Sequence, residues 1–370
     1  MERRGISHTQ LMALLWGGVL APAAELLPGL LLPQTGKGAW LAPLAAAPVV
    51  LGAGWLLGKL SGEHGLARGL FDRTGPVFGR VLLIIYMVWV QLLLALRLRL
   101  CAERLLDSGE RDGSLWFFLL GLTALLLWIG SGRLDTFARA GQLFFGVLLV
   151  MGGAVLLFAL PQGEVERVLP LWQEDVLPIL RGGLSTAGVL GWGCFAAFLT
   201  GNVAEPGERR GRHWLFWGVG ACLVLAAAQA VLLSNLGVGL AMKLESPFFV
   251  LAKSVGVQGA FRRIESLVAA VWLLADVVLA GVLVFAQRNI IKVVWRRARE
   301  ESAGATAVLA AGLLARGVFR ERGTARWWNG NVVPAVNLTL GLTVPFAILL
   351  FGWIRRKLTG NSTSCGQKTD

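Results

Sequence analysis

The chain has 370 residues, of which 55% are hydrophobic and only 15% charged, and its mean hydropathy is +0.66. Soluble domains carry about 25% charged residues, so this composition excludes a soluble enzyme or binding domain. The net charge of +13 and pI near 10.7 do not point to nucleic acid, because Lys and Arg sit between apolar runs and form no separate basic domain.

A bilayer core about 30 Å thick is crossed by a helix of about 20 apolar residues. On that basis ten spans are predicted: Thr9–Leu32, Ala39–Leu60, Phe78–Leu100, Leu115–Gly130, Thr136–Leu160, Gly182–Thr200, Trp214–Asn235, Glu265–Ala286, Ser302–Val318 and Val332–Ile354. The ninth is short and Ala-rich, and reads either as a span or as a helix lying in the membrane plane. The first run is interrupted by Glu25 and reads as a retained span rather than a signal peptide. The loops at 161–181 and 237–262 carry apolar residues at helical spacing and are expected to lie as amphipathic helices on the surface. Placing the N-terminus inside puts the basic clusters Arg288 to Arg299 and Arg355-Arg356-Lys357 inside, and the acids Glu103, Asp107, Glu110, Asp112, Glu164, Glu166, Glu174 and Asp175 outside. Both termini are therefore expected in the cytoplasm, with a single membrane domain over 1–360 and a disordered tail from 358 to 370.

The four cysteines Cys101, Cys194, Cys222 and Cys365 are scattered, and His8, His64 and His213 form no ligand spacing, so neither a disulfide framework nor a metal or cofactor site is expected. No HExxH, P-loop or GxSxG sequence is present, and catalysis is not expected.

The first span holds Gly17-Gly18, then Ala21-Pro22, Glu25 and Pro28. The sixth crowds Gly182, Gly183, Gly188, Gly191, Trp192, Gly193 and Cys194. Gly and Pro weaken a continuous helix. Interrupted spans at matching places in two halves point to a transporter site. The reading is a five-plus-five inverted repeat, about 6–160 and 165–357, with helices one and six broken at mid-depth. A break would expose backbone N–H groups to a carboxylate and carbonyls to an ammonium, which suits a zwitterionic amino acid. The competing reading is close helix packing through small residues. Asp276, deep in the eighth span, either faces the bundle interior as a ligand for an ammonium or is a structural acid. Glu25 and Tyr86 complete the candidate site; Gln91, Asn337, Thr339 and Thr343 are weaker.

Several segments resemble the B subunit of bacterial spore germinant receptors, the endospore germination permease family within the amino acid–polyamine–organocation superfamily. They are Ile6-Ser7 with Gln10, Gly38 to Leu41, Gly79-Arg80 through Tyr86, Val168 to Leu171, Leu177 to Gly182, Ser246 to Ala252, Arg262 to Ser266 with Trp272, Asn337-Leu338 with Pro345, and Trp353 to Lys357. Where the family usually places a Pro-Phe-Gly-Glu-like sequence, this chain has Gly191-Trp192-Gly193-Cys194, which keeps the Gly and lacks the acid. The resemblance implies an all-α LeuT-like fold of ten spans in the spore inner membrane. It implies a small nutrient ligand, often an amino acid, held between spans one, three, six and eight. It also implies an A-type membrane subunit and a C-type lipoprotein as partners. An amino-acid transporter of the same superfamily, or a scaffold that binds no nutrient, are the alternative readings.

Overall fold

Inside a bilayer a backbone amide finds no water, so a single apolar run crosses as a helix. The computed structural model describes residues 5–62, 64–108, 114–169, 171–204, 210–254, 264–295 and 297–363. Among these the chain is helical nearly throughout, and the one strand-like contact is a bridge between Ile6 and Val203. Glu110, Asp112, Pro170, Arg262, Arg263, Arg296, Cys365 and the tail from 364 lie outside the described residues.

The first half runs through α1 (His8–Thr35), α2 (Ala42–Ser61), the short α3 (Leu66–Thr74), α4 (Pro76–Ser108), α5 (Leu115–Ser131) and α6 (Leu134–Ala159). The second half starts with α7 (Val176–Leu190), which continues as a tighter 3₁₀ segment, Gly191–Asn202. Then come α8 (Arg210–Ala241), the short α9 (Pro247–Ser254), α10 (Ile264–Val294) and α11 (Glu300–Gly317). The last span is built from α12 (Arg322–Trp327), α13 (Val333–Leu338) and α14 (Val344–Thr363), joined by π-helical turns at Trp328–Val332 and Thr339–Thr343. Eight of these stretches are long and apolar enough to cross a membrane, and α5 is a shorter apolar helix. The ninth predicted span is α11, which packs along α4, α5 and α10. The chain is an all-α, multi-pass membrane protein.

Helices at matching places in the two halves lie together: α1 on α7, α2 on α8, α4 on α10 and α5 on α11. The N-terminus is tied to the far end of span six, where the Ile6 N–H donates to Asn202 O at 3.0 Å and the Ala204 N–H donates to Ile6 O at 3.1 Å. Spans one and six therefore run antiparallel. Ser7 and Gln10 start α1 as a reciprocal cap: the Gln10 N–H donates to Ser7 Oγ at 3.1 Å, and the Ser7 N–H donates to Gln10 Oε1 at 2.9 Å.

Three expectations are corrected. The break in span one is absent, for α1 is one helix of 28 residues with Pro22, Pro28 and Pro33 inside it. Each Pro removes one helical hydrogen bond, but the helix continues through all three, packed against α6, α7, α8 and α10. The loop at 161–175 forms short 3₁₀ turns instead of a surface helix. Finally, the tail expected to be disordered from 358 begins inside α14.

Candidate functional site

Span three was expected to end at Leu100; α4 instead continues two turns further, to Ser108. Arg97, Leu100, Glu103, Arg104 and Asp107 recur at helical spacing and so share one face. On α1 the residues Pro22, Glu25, Leu26 and Gly29 share a face in the same way. These two faces, with Glu245 to Pro247, Trp272, Arg326 and Asn329, enclose a cavity of about 280 Å³. It lies at the end of the bundle where α1 and α4 finish and α10 begins.

Behind the cavity wall stands a buried ion-pair network. Asp276 of α10 is fully buried and is gripped by two guanidinium groups of α4. Arg97 Nη1 lies 3.1 Å from one of its oxygens and Arg104 Nε lies 3.1 Å from the other. Arg104 also pairs with Glu25 of α1, and Ser246 Oγ donates to Glu25 at 3.3 Å. Arg97 lies with its guanidinium 4.4 Å over the Trp192 ring. Two cations face two anions, so the network is neutral, which is the condition for holding ions away from water. Arg104 and Glu25 keep side-chain exposures of 20% and 25%, against 3% for Arg97 and 0% for Asp276. Within this network, Arg104 and Glu25 are the members most open to the cavity.

A second set of charges rings the mouth. Arg326 donates to Glu245 at 2.9 Å, Arg322 pairs with Asp107, and Arg99 holds Glu103 at 2.8 Å. These tie α4, the loop before α9 and α12 together. The hydrogen bond from Arg326, and then its charge, hold the Glu245 carboxyl below its ordinary 4.5.

The remaining candidate residues lie elsewhere. Gly17 faces Phe145 of α6, and a Cβ at Gly18 would stand 3.1 Å from the Leu279 backbone of α10, so this pair is a contact surface between helices. Ala21 lines a separate apolar slot. Tyr86 donates to Leu340 O at 2.6 Å, and Trp89 donates to Asn337 at 2.9 Å, so both side chains join span three to span ten. Gln91 donates to Ala307 O at 2.9 Å.

The expected unwinding at Gly191 is a change of helix type. Leu190 (φ −65°, ψ −17°) and Gly191 (φ −57°, ψ −16°) stay helical, and the backbone bonds back along the helix. A 3₁₀ helix has three residues per turn, which eclipses residues three apart. That stripe meets span ten: Gly188 abuts Pro334, Gly191 abuts Asn337, and Cys194 abuts Gly341. Gly193 seats the Trp217 ring, 2.6 Å from where a Cβ would be. Of the span-six candidates, Trp192 alone reaches the network, through Arg97. Spans one, three, eight and ten enclose the cavity.

Arg97, Arg104, Glu103, Glu245 and Arg326 were missed as site residues. Their signal was in the sequence: two arginines seven apart in an apolar helix need buried acids opposite.

A family model described as spore permease, a spore germination protein, matches residues 5–314. The chain belongs to that family. Comparison with curated proteins finds no match. The matched region holds the whole of α1 to α10 and most of α11, and with them Glu25, Arg97, Arg104 and Asp276. The germination family member thus keeps its buried network inside the matched part. Arg322 and Arg326, at the cavity mouth, lie beyond it.

Proposed function

We propose that this spore germination protein is the nutrient-sensing membrane subunit of a germinant receptor, and that it takes a small amino acid in the cavity between α1, α4, α10 and α12. The observation that carries this reading is the pair Arg104–Glu25, half-open to the cavity and backed by the neutral Arg97–Asp276 pair. An amino acid brings the same two charges. Its carboxylate replaces Glu25 at Arg104, and its ammonium replaces Arg104 at Glu25. The bond tying α1 to α4 is then routed through the ligand. Binding energy that differs between the two arrangements shifts their populations, and the change passes to partner subunits. In this reading the partners are an A-type membrane subunit and a C-type lipoprotein in the spore inner membrane. The packing of α1 on α7, α2 on α8, α4 on α10 and α5 on α11 supports the inverted repeat of the transporter superfamily.

The test is a neutral exchange, Glu25→Gln with Arg104→Gln, which preserves net charge. Spores carrying it should hold normal amounts of the protein and fail to germinate on the amino acids that this chain senses. Normal germination on all of them would remove the cavity from the account. Radiolabelled uptake into vesicles separates sensing from transport: a sensor binds the amino acid without accumulating it.

A further inference from the structure

A second cavity, about 200 Å³, lies against the first. Its walls are apolar: Ala21 and Ala24 of α1, Leu149, Gly152 and Gly153 of α6, and Ala228 of α8. Leu149 at the rim is 56% exposed on the outer face of the bundle, whereas Ala228 and Trp272 in the floor are 3% and 8% exposed. The slot therefore runs inward from the membrane side and stops at Trp272. Trp272 also lines the polar cavity. Chain neighbours are divided between the two spaces: Ala24 faces the slot and Glu25 the polar cavity, and Phe248 faces the slot and Phe249 the polar cavity. Trp272 packs on Phe248 at 5.4 Å between ring centroids, and its buried indole N–H has no hydrogen-bond partner among the described residues. A buried N–H without an acceptor is costly, and a carboxylate placed in the polar cavity would supply one.

Resting on the nutrient-binding reading above, we infer that the two cavities form one bipartite site with Trp272 as its divider. The polar cavity takes the amino and carboxylate groups, and the slot takes an apolar side chain. The ligand class is then an amino acid with a branched aliphatic or aromatic side chain, and Trp272 and the slot walls determine specificity. When such a ligand enters, the indole turns aside and its N–H meets the ligand carboxylate. Each methylene buried in a fitted pocket is worth roughly tenfold in discrimination, so leucine should bind at least tenfold more tightly than glycine.

Gly152 and Gly153 supply the test. A Cβ at either would meet no atom within 4 Å, so a side chain starts in open space at both positions and Gly152→Leu with Gly153→Leu narrows the slot. The full chain in nanodiscs is assayed for binding of L-leucine, L-phenylalanine and glycine, with the ligand-free melting temperature as folding control. The expected result is a loss of at least tenfold in leucine and phenylalanine binding, with glycine changed less than about twofold. Should the double variant not fold, Leu149→Trp at the exposed rim serves the same purpose. Equal binding of leucine and glycine, or a slot-filled variant with unaltered preference, overturns this inference and leaves the polar site standing. A phospholipid that copurifies with the wild type and is lost from the variant, with amino-acid preference unchanged, assigns the slot to an acyl chain and also overturns it. Absence of binding by any amino acid overturns the nutrient reading itself, and this inference with it.

Discussion

Asp276 illustrates how a single carboxylate is kept in a membrane. It has no exposure and stands between two guanidinium groups. Removing one partner of a buried ion pair costs about 3–5 kcal/mol, because the other charge stays buried. Asp276→Asn should therefore lower stability by about that amount, read as a drop in melting temperature of the purified protein. Adding Arg97→Gln restores neutrality and should recover at least half of the loss, so the pair should be strongly non-additive in a double-mutant cycle. Glu25→Gln should cost less, since Glu25 reaches the cavity and any solvent there. Asp276 was recognisable from sequence as an acid inside a span. Its partners were not legible as such: Arg97 lies inside the third span and Arg104 just past its expected end, and only the packing of α4 on α10 shows that both face Asp276. Trp214 and Trp217 lie near a span end, where Trp commonly anchors at the membrane surface, yet they are 4% and 5% exposed and pack edge to face.

At the scale of elements, the glycines of spans one and six serve contact more than unwinding. Gly18 lies against the α10 backbone and Gly193 under Trp217. Gly18→Leu and Gly193→Leu should each destabilise the fold by about 1–3 kcal/mol through overpacking, measurable as a lowered melting temperature, before any ligand effect is seen. One glycine does provide a bend: Gly237 (φ +68°) turns the end of α8, a conformation other residues adopt only with strain. Span positions were legible because hydropathy fixes length, and all ten predicted spans coincide with helices. A gap in the first helix was not legible, because Gly and Pro mark both a broken helix and a tightly packed one. The distinction depends on what the neighbouring helix presents. The Arg326–Glu245 pair at the cavity mouth belongs to this scale too. Glu245 titrates below its ordinary 4.5, so the stability it contributes is present above that value and is lost as pH falls through its lowered one. The difference in melting temperature between wild type and Glu245→Gln should be small, since the pair is exposed. It should be constant through neutral pH and vanish only on the acid side of the ordinary glutamate range.

For the molecule as a whole, the helical bundle encloses a charged cavity at one end and buries a neutral ion network beneath it. The fold class and the membrane setting follow from composition and periodicity. The cavity required tertiary structure, because its walls come from four spans and a loop far apart in the chain. Gly29 offers direct access to it, since it lines the cavity and a Cβ there would meet no atom within 4 Å. The most direct measurement is the rate at which a small water-soluble thiol reagent modifies the Gly29→Cys protein in membranes, with and without amino acids that trigger germination. The native Cys101 and Cys222 are buried and Cys194 is half-buried, so Cys194 and Cys365 are first replaced by Ala, and Gln162→Cys in an exposed loop is the control. The expected result is slowing by the triggering amino acids at position 29 and none at position 162. An unchanged rate at position 29, at ligand concentrations that saturate germination, would contradict nutrient binding in this cavity.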